Sequence, residues 1–177
     1  MAPHNKRDVM VRLQLLRAGE AVPAQRSREV LRAYELAKTS AEVVEAACSS
    51  RVRVLVAADV VAGSDQPNAA SDRLLACGIE SNDHEFIKQI LPMVKDINQP
   101  NVSMHGERPV CSAVGQMDPI VFGTLLKAKP DVVTPCGDGK TVREQLAERA
   151  TRPHAEPSFR KAAADMLQLL EGQDDGR

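Results

Sequence analysis

Residues 106–141 read GERPVCSAVGQMDPIVFGTLLKAKPDVVTPCGDGKT, and this stretch decides the fold. After Gly106, Pro109 suits a first helical residue, because the N–H it lacks has no intrahelical partner at that position. The apolar residues Val110, Ala113 and Val114 follow at helical spacing. A second helix opens at Asp118, a good N-cap, with Pro119 in the first helical position. Val121, Phe122, Leu125 and Leu126 then fall at i, i+1, i+4 and i+5, which puts them on one helical face. That face must be buried against something. The stretch therefore reads as a helix-loop-helix unit, an outward loop, and the start of a further unit.

The unit recurs. Asp83 stands 35 residues before Asp118, Phe86, Ile87, Ile90 and Leu91 match the apolar face, and Asp96-Ile97 matches Asp131-Val132. Downstream, Gly139-Lys140-Thr141 echoes Gly106-Glu107-Arg108 at a spacing of 33. A period of this length signals a stacked array rather than one closed core. The pattern resembles the ankyrin repeat, which has a Gly-x-Thr-Pro-Leu-His start, two antiparallel helices, an LL ending, and an Asp-Val-Asn leading into a projecting hairpin. Here those features are Gly106 with Pro109, Leu125-Leu126, Asp96-Ile97-Asn98 and Gly139-x-Thr141.

The resemblance covers residues 71–150 and implies an all-α, ankyrin-type helical solenoid of about four helix-pair units with projecting hairpin loops. It implies a single repeat domain over 1–177: N-terminal helices or cap (1–38), a degenerate repeat (39–70), repeats at 71–105 and 106–138, and a capping repeat (139–171). Arg108 and Cys111 replace the Thr and His of the start motif, and Arg73-Leu74-Leu75-Ala76 replaces it in the earlier unit. In the family that Thr and His tie neighbouring repeats together, so these departures imply a less regular stack, unless Arg108 itself bridges repeats.

Composition agrees with thin helical layers. Of 177 residues 43% are hydrophobic but only 2% aromatic, with no Trp, one Tyr and three Phe, which argues against an aromatic-lined pocket or a base-stacking surface. A formal net charge of −1 gives no general attraction for nucleic acid or an anionic membrane. Cys48, Cys77, Cys111 and Cys136 lie far apart with no Cys-x-x-Cys spacing. With no apolar run long enough to span a bilayer and no secretory h-region, the expected setting is intracellular and reducing, cytoplasmic by default. The basic, amphipathic start MAPHNKRDVMVRLQLLRAG is also compatible with an organelle presequence.

Along the chain, a first helix is expected over about Asp8–Ala18, closing at Gly19, and Ser27 suits the N-cap of REVLRAYELAK. The register of residues 20–62 stays open. Ser27–Lys38 pairs with Ala41–Ala47, or Thr39–Cys48 pairs with Val52–Ala58, the second slightly preferred, while RVRVLVAADVV also alternates like a strand. Residues 62–71, AGSDQPNAAS, read as loop, followed by helices at about 72–80 and 84–93. NQPNVSMHGE, after Asp96, is two residues longer than its counterpart after Asp131 and should project furthest. Thr141 and Glu144 form a capping box. A last helix carries Phe159, Ala162, Ala163, Met166, Leu167 and Leu170 on one face and Arg160, Lys161, Asp165 and Gln168 on the other, suited to covering the final layer, with GQDDGR as tail.

Three chemical motifs compete with this reading. DVVTPCGDGKT before a helix resembles a phosphate loop, yet residue 134 is Thr where the first Gly belongs, Pro135 removes an N–H, and Asp138 puts negative charge where phosphate would sit. Cys77 with His84, or Cys136 at a hairpin tip as an exposed thiol, would suit a thiol-dependent enzyme or redox sensor, against the plainer reading of Cys77 and Cys111 as packing residues. Arg12, Arg17, Arg26, Arg28 and Arg32 form a solvated helix face or a dock for an acidic partner or an RNA backbone. No histidine has metal-ligand spacing.

The expectation for function is a non-catalytic protein-protein interaction module, an adaptor or accessory subunit of a larger assembly, with no cofactor, no metal, no membrane insertion and no nucleic-acid partner. A nucleotide-binding domain through Gly139-Lys140-Thr141 and a thiol-based enzyme are the rivals. In the ankyrin-like arrangement loop tips and first helices contact the partner, and the tips select Asn98, Asn101, Met104, His105, Glu107, Arg108, Thr134, Cys136, Asp138 and Lys140. Ser103 and Val102 lie in the same finger, and Met104 and Arg108 are the expected energetic anchors.

Overall fold

A computed structural model describes residues 40–48, 53–62 and 64–174. The expected helices at Asp8–Ala18 and after Ser27, the capping segment 1–38 and the basic cluster Arg12, Arg17, Arg26, Arg28 and Arg32 lie outside the described residues. These contain helices, two 3-10 turns and one isolated bridge, so the fold is all-α. The chain divides into two compact units, one running to Cys77 and adding Lys88–Lys95, the other comprising Gly78–Ile87 and Asp96–Arg177.

In the first unit α1 (Ser40–Cys48) packs against α2 (Arg53–Ala62). Val43, Val44 and Ala47 on α1, and Ala57, Val60 and Val61 on α2, are buried at helical spacing. These helices match the second of the two registers. The strand alternative for RVRVLVAADVV is corrected: valine disfavours helix only weakly, and packing of one helical face overrides the alternation. A disulfide joins Cys48 to Cys77 on α3 (Pro67–Glu80), and Arg73 of α3 grips Glu45 of α1 through Nε (2.6 Å) and Nη2 (2.9 Å). The hydrogen bonds from Arg73 hold the Glu45 carboxyl below its ordinary pKa.

The loop expected over 62–71 is shorter than its composition suggests, because α3 starts at Pro67. Pro67 is a first helical residue, and Ala70 N–H donates to the Gln66 carbonyl at 2.9 Å to close the first turn. The rule that places Pro109 and Pro119 correctly applies here as well.

In the second unit α5 (Pro109–Gln116) packs on α6 (Pro119–Leu126) and α7 (Val142–Thr151), and α8 (Pro157–Asp174) lies on α6 and α7. The expected amphipathic face of α8 buries Ala163, Met166 and Leu170 and half-buries Phe159, Ala162 and Leu167. Gly172, Gln173 and Asp174, expected in the tail, belong to this helix. Arg149 Nη1 donates to the Val114 carbonyl at 3.0 Å, which satisfies one of the last carbonyls of α5 and fastens α7 to it.

The 35-residue recurrence is visible in the local construction. Asp83 accepts from the N–H of Phe86 (3.0 Å) at the start of α4 (His84–Ile90), as Asp118 accepts from Ile120 (2.8 Å) and Val121 (3.1 Å). The residue before each cap, Asn82 or Met117, is left-handed. Asp96 accepts from Asn98 N–H and Asp131 from Val133 N–H, both at 2.9 Å, giving the same turn in each loop. Phe86, Ile87 and Ile90, like Val121, Phe122 and Leu125, are completely buried. Leu91 departs from the pattern and is only half-buried: Pro92 has no N–H to donate to the Lys88 carbonyl, and Leu91–Met93 becomes a 3-10 turn.

Candidate functional site

The residues selected from the sequence sit on two loops of the second unit, one between α4 and α5 and one between α6 and α7. The first loop closes on itself. Asn101 N–H donates to the Glu107 carbonyl (2.9 Å), while Met104 and Gly106 donate N–H groups to the Asn101 carbonyl at 2.9 and 3.0 Å. The Asn101 side chain accepts from Ser103 N–H at 2.9 Å. His105 and Gly106 are both left-handed, which turns the chain back and points Met104 inward, 6% exposed.

The second loop is pinned by side chains at both ends. Asp131 accepts from the N–H groups of Val133 (2.9 Å) and Thr134 (3.0 Å), and hydrogen bonds from the Thr134 side chain and from those two amides lower its pKa to about 2. The Arg108 charge makes the smallest contribution to that lowering. Farther along, Cys136 N–H donates to the Lys140 carbonyl (2.8 Å) and Gly139 N–H to the Cys136 carbonyl (2.9 Å), a tight turn made possible by the positive φ of Gly139. Thr141 and Glu144 form the expected capping box of α7.

Four ties hold the two loops together. Asp131 N–H donates to Asn98 Oδ1 at 2.7 Å. Arg108, 9% exposed, sends Nη1 to the Asp131 carbonyl (2.8 Å) and Nη2 to the carbonyls of Thr134 and Pro135, the latter at 3.2 Å, with the Asp131 carboxylate 3.3 Å from Nη1. Gly137 N–H donates to the Glu107 carboxylate at 3.2 and 3.4 Å. A disulfide joins Cys111, in the first turn of α5, to Cys136.

Of the selected residues, Asn98, His105, Thr134, Asp138 and Lys140 are exposed and Glu107 is half-buried. Asn101, Met104, Arg108 and Cys136 are buried. Met104, expected to anchor the partner, instead fills the turn, and Arg108 spends its donors on the neighbouring loop, in line with the bridging role its position allowed. Cys136 is no exposed thiol. It is paired with Cys111, and Cys77 with Cys48, so all four cysteines are in disulfides and none offers a nucleophile in this state. His84, expected beside Cys77, has Nε2 3.2 Å from Glu85. Disulfides persist in oxidising compartments, so the pairing gives no support to the reducing setting expected from the missing h-region. No helix among the described residues is long and apolar enough to cross a membrane.

Around the phosphate-loop look-alike, Lys140 is ion-paired with Glu148, which raises the lysine pKa. Asp138 accepts from Lys140 N–H and from Gln145 Nε2, both at 3.0 Å. The exposed surface of the two loops is instead apolar at two points, Val102 at 93% and Val133 at 77%. Val133 escaped the sequence reading because Asp-Val-Val looks like buried packing. Only the Asx turn at Asp131 turns it outward. In the first unit a hollow of about 300 Å³ is lined by Ala41, Val44, Ala69 and Ala70, with the Glu45–Arg73 pair at its edge. Compared with known protein families, curated proteins and solved structures, the chain matches none.

Proposed function

We propose that the chain is a non-catalytic protein-binding module, an ankyrin-type solenoid serving as adaptor or accessory subunit of a larger assembly, which meets its protein partner through the tips of the two braced loops. The observation that carries this reading is the combination of four cross-ties beneath the loops with exposed Val102 and Val133 above them. Solvent-facing valines on a braced backbone offer apolar area at little entropic cost on binding, because the loops are already ordered. Exposed His105, Asn98 and Thr134 supply hydrogen-bonding groups around them, in the manner of a polar rim. The 35-residue recurrence of caps, turns and buried faces supports the repeat reading.

The test uses the full chain as bait in extracts of its native source, with Val102→Asp/Val133→Asp as the matched control. Both positions are exposed, so the double variant should melt within a few degrees of wild type while its specific partner is weakened at least tenfold. Equal recovery of every captured protein by the two baits would refute the reading.

A further inference from the structure

We propose that Glu107, Cys111 and Cys136 form a zinc site that becomes available when the Cys111–Cys136 disulfide is reduced. The two sulfurs and a Glu107 carboxylate oxygen all lie within 4.8 Å of one another, the only such grouping of potential ligands among the described residues. Two thiolates and one carboxylate, with water in the fourth position, make a donor set that zinc accepts in tetrahedral geometry.

The site is prepared by its surroundings. Cys111 is held in the first turn of α5, directly after Pro109 and Val110 and buried with them. Cys136 sits on the turn fixed by its own N–H to the Lys140 carbonyl and by Gly139 N–H to its carbonyl. Glu107 is aimed by the Gly137 N–H, and a methyl group at Gly137 would overlap Glu107 Oε1, so glycine leaves that carboxylate its room. Most important, the two loops do not depend on the disulfide to stay together. Arg108 to three carbonyls and Asn98 to Asp131 N–H remain after reduction, and the thiols stay opposed. Both cysteines are buried, and half-buried Glu107 leaves a side open for the ion to enter.

Two molecules of a low-molecular-weight thiol are oxidised to their disulfide while the Cys111–Cys136 bond takes up two electrons and two protons. Zinc then displaces the protons of both thiols, so binding is tighter at higher pH and releases acid.

The experiment titrates the full chain with cobalt(II) and with zinc, before and after treatment with a phosphine reductant, which supplies no competing sulfur. The expected result is about one metal per reduced chain, with a thiolate-to-cobalt charge-transfer band, and none per oxidised chain. Glu107→Gln keeps an amide oxygen for Gly137 N–H and so spares the fold; it should weaken binding by at least about tenfold. Cys136→Ser should abolish the band and Cys77→Ser should leave it. Failure of the reduced protein to bind, loss of its helical circular dichroism on reduction, unchanged affinity in Glu107→Gln, or a band that survives Cys136→Ser would each overturn the proposal.

Discussion

Replacing Arg108 with alanine tests whether the two loops are held by that side chain. Its guanidinium reaches three backbone carbonyls and the Asp131 carboxylate. Hydrogen bonds from a charged donor contribute about 1.5–3 kcal/mol each, which sets an upper bound near 5–9 kcal/mol for three. The true loss is smaller, because Thr134 and Pro135 lie on exposed backbone and water can replace the guanidinium once the loop loosens. About 2–4 kcal/mol is the expected cost, a shift of roughly 5–15 °C in Tm for a chain of this size. Arg108→Lys keeps the charge but has no planar fork to span several acceptors, and should recover less than half of it. Urea titration gives the free energies, and amide exchange at Val133 and Thr134 reports the loop itself. A midpoint for Arg108→Ala within about 0.5 kcal/mol of wild type, or full rescue by lysine, would refute the bracing argument.

Leu125→Ala, at a completely buried position on α6, should cost about 2–5 kcal/mol by calorimetry, against almost nothing for Val102→Ala at a 93% exposed one. Asp131 has its pKa lowered to about 2, so its folded-state interactions stabilise the protein above the unfolded carboxylate pKa near 4 and are lost as pH falls through 2. Asp131→Asn should therefore lower Tm at pH 7 and converge with wild type near pH 2, with a difference of less than about 1 kcal/mol because the side chain is 38% exposed. Cys136→Ser opens a link across 25 residues and should cost about 3–4 kcal/mol under non-reducing conditions, read from the urea midpoint.

What the sequence made legible was local. Asp83, Asp118 and the Thr141–Glu144 box are read correctly because a cap and the amides it satisfies lie within three residues. The buried faces of α4 and α6 follow from spacing alone, with Leu91 the exception. Met104, by contrast, turns inward only because Asn101 and Glu107 pair across it and His105 adopts a left-handed conformation. Neither cysteine pair was legible, since each joins residues 25 or 29 apart and spacing alone does not choose among the three possible pairings.

Residues 71–150 resemble the ankyrin pattern but depart from it in the start motif. Arg108 and Cys111 stand where the pattern has the Thr and His of its local tie, and their presence suggested a looser stack. In the structure both reach into the next loop instead, Arg108 to Asp131, Thr134 and Pro135, and Cys111 to Cys136. Closing a flexible segment of about 25 residues costs roughly 3 kcal/mol in chain entropy, more than a single neutral hydrogen bond returns. A fork with three acceptors, or a disulfide, is large enough to offset that cost. Arg108 and Cys111 therefore tie the two loops at long range, beneath the exposed Val102 and Val133.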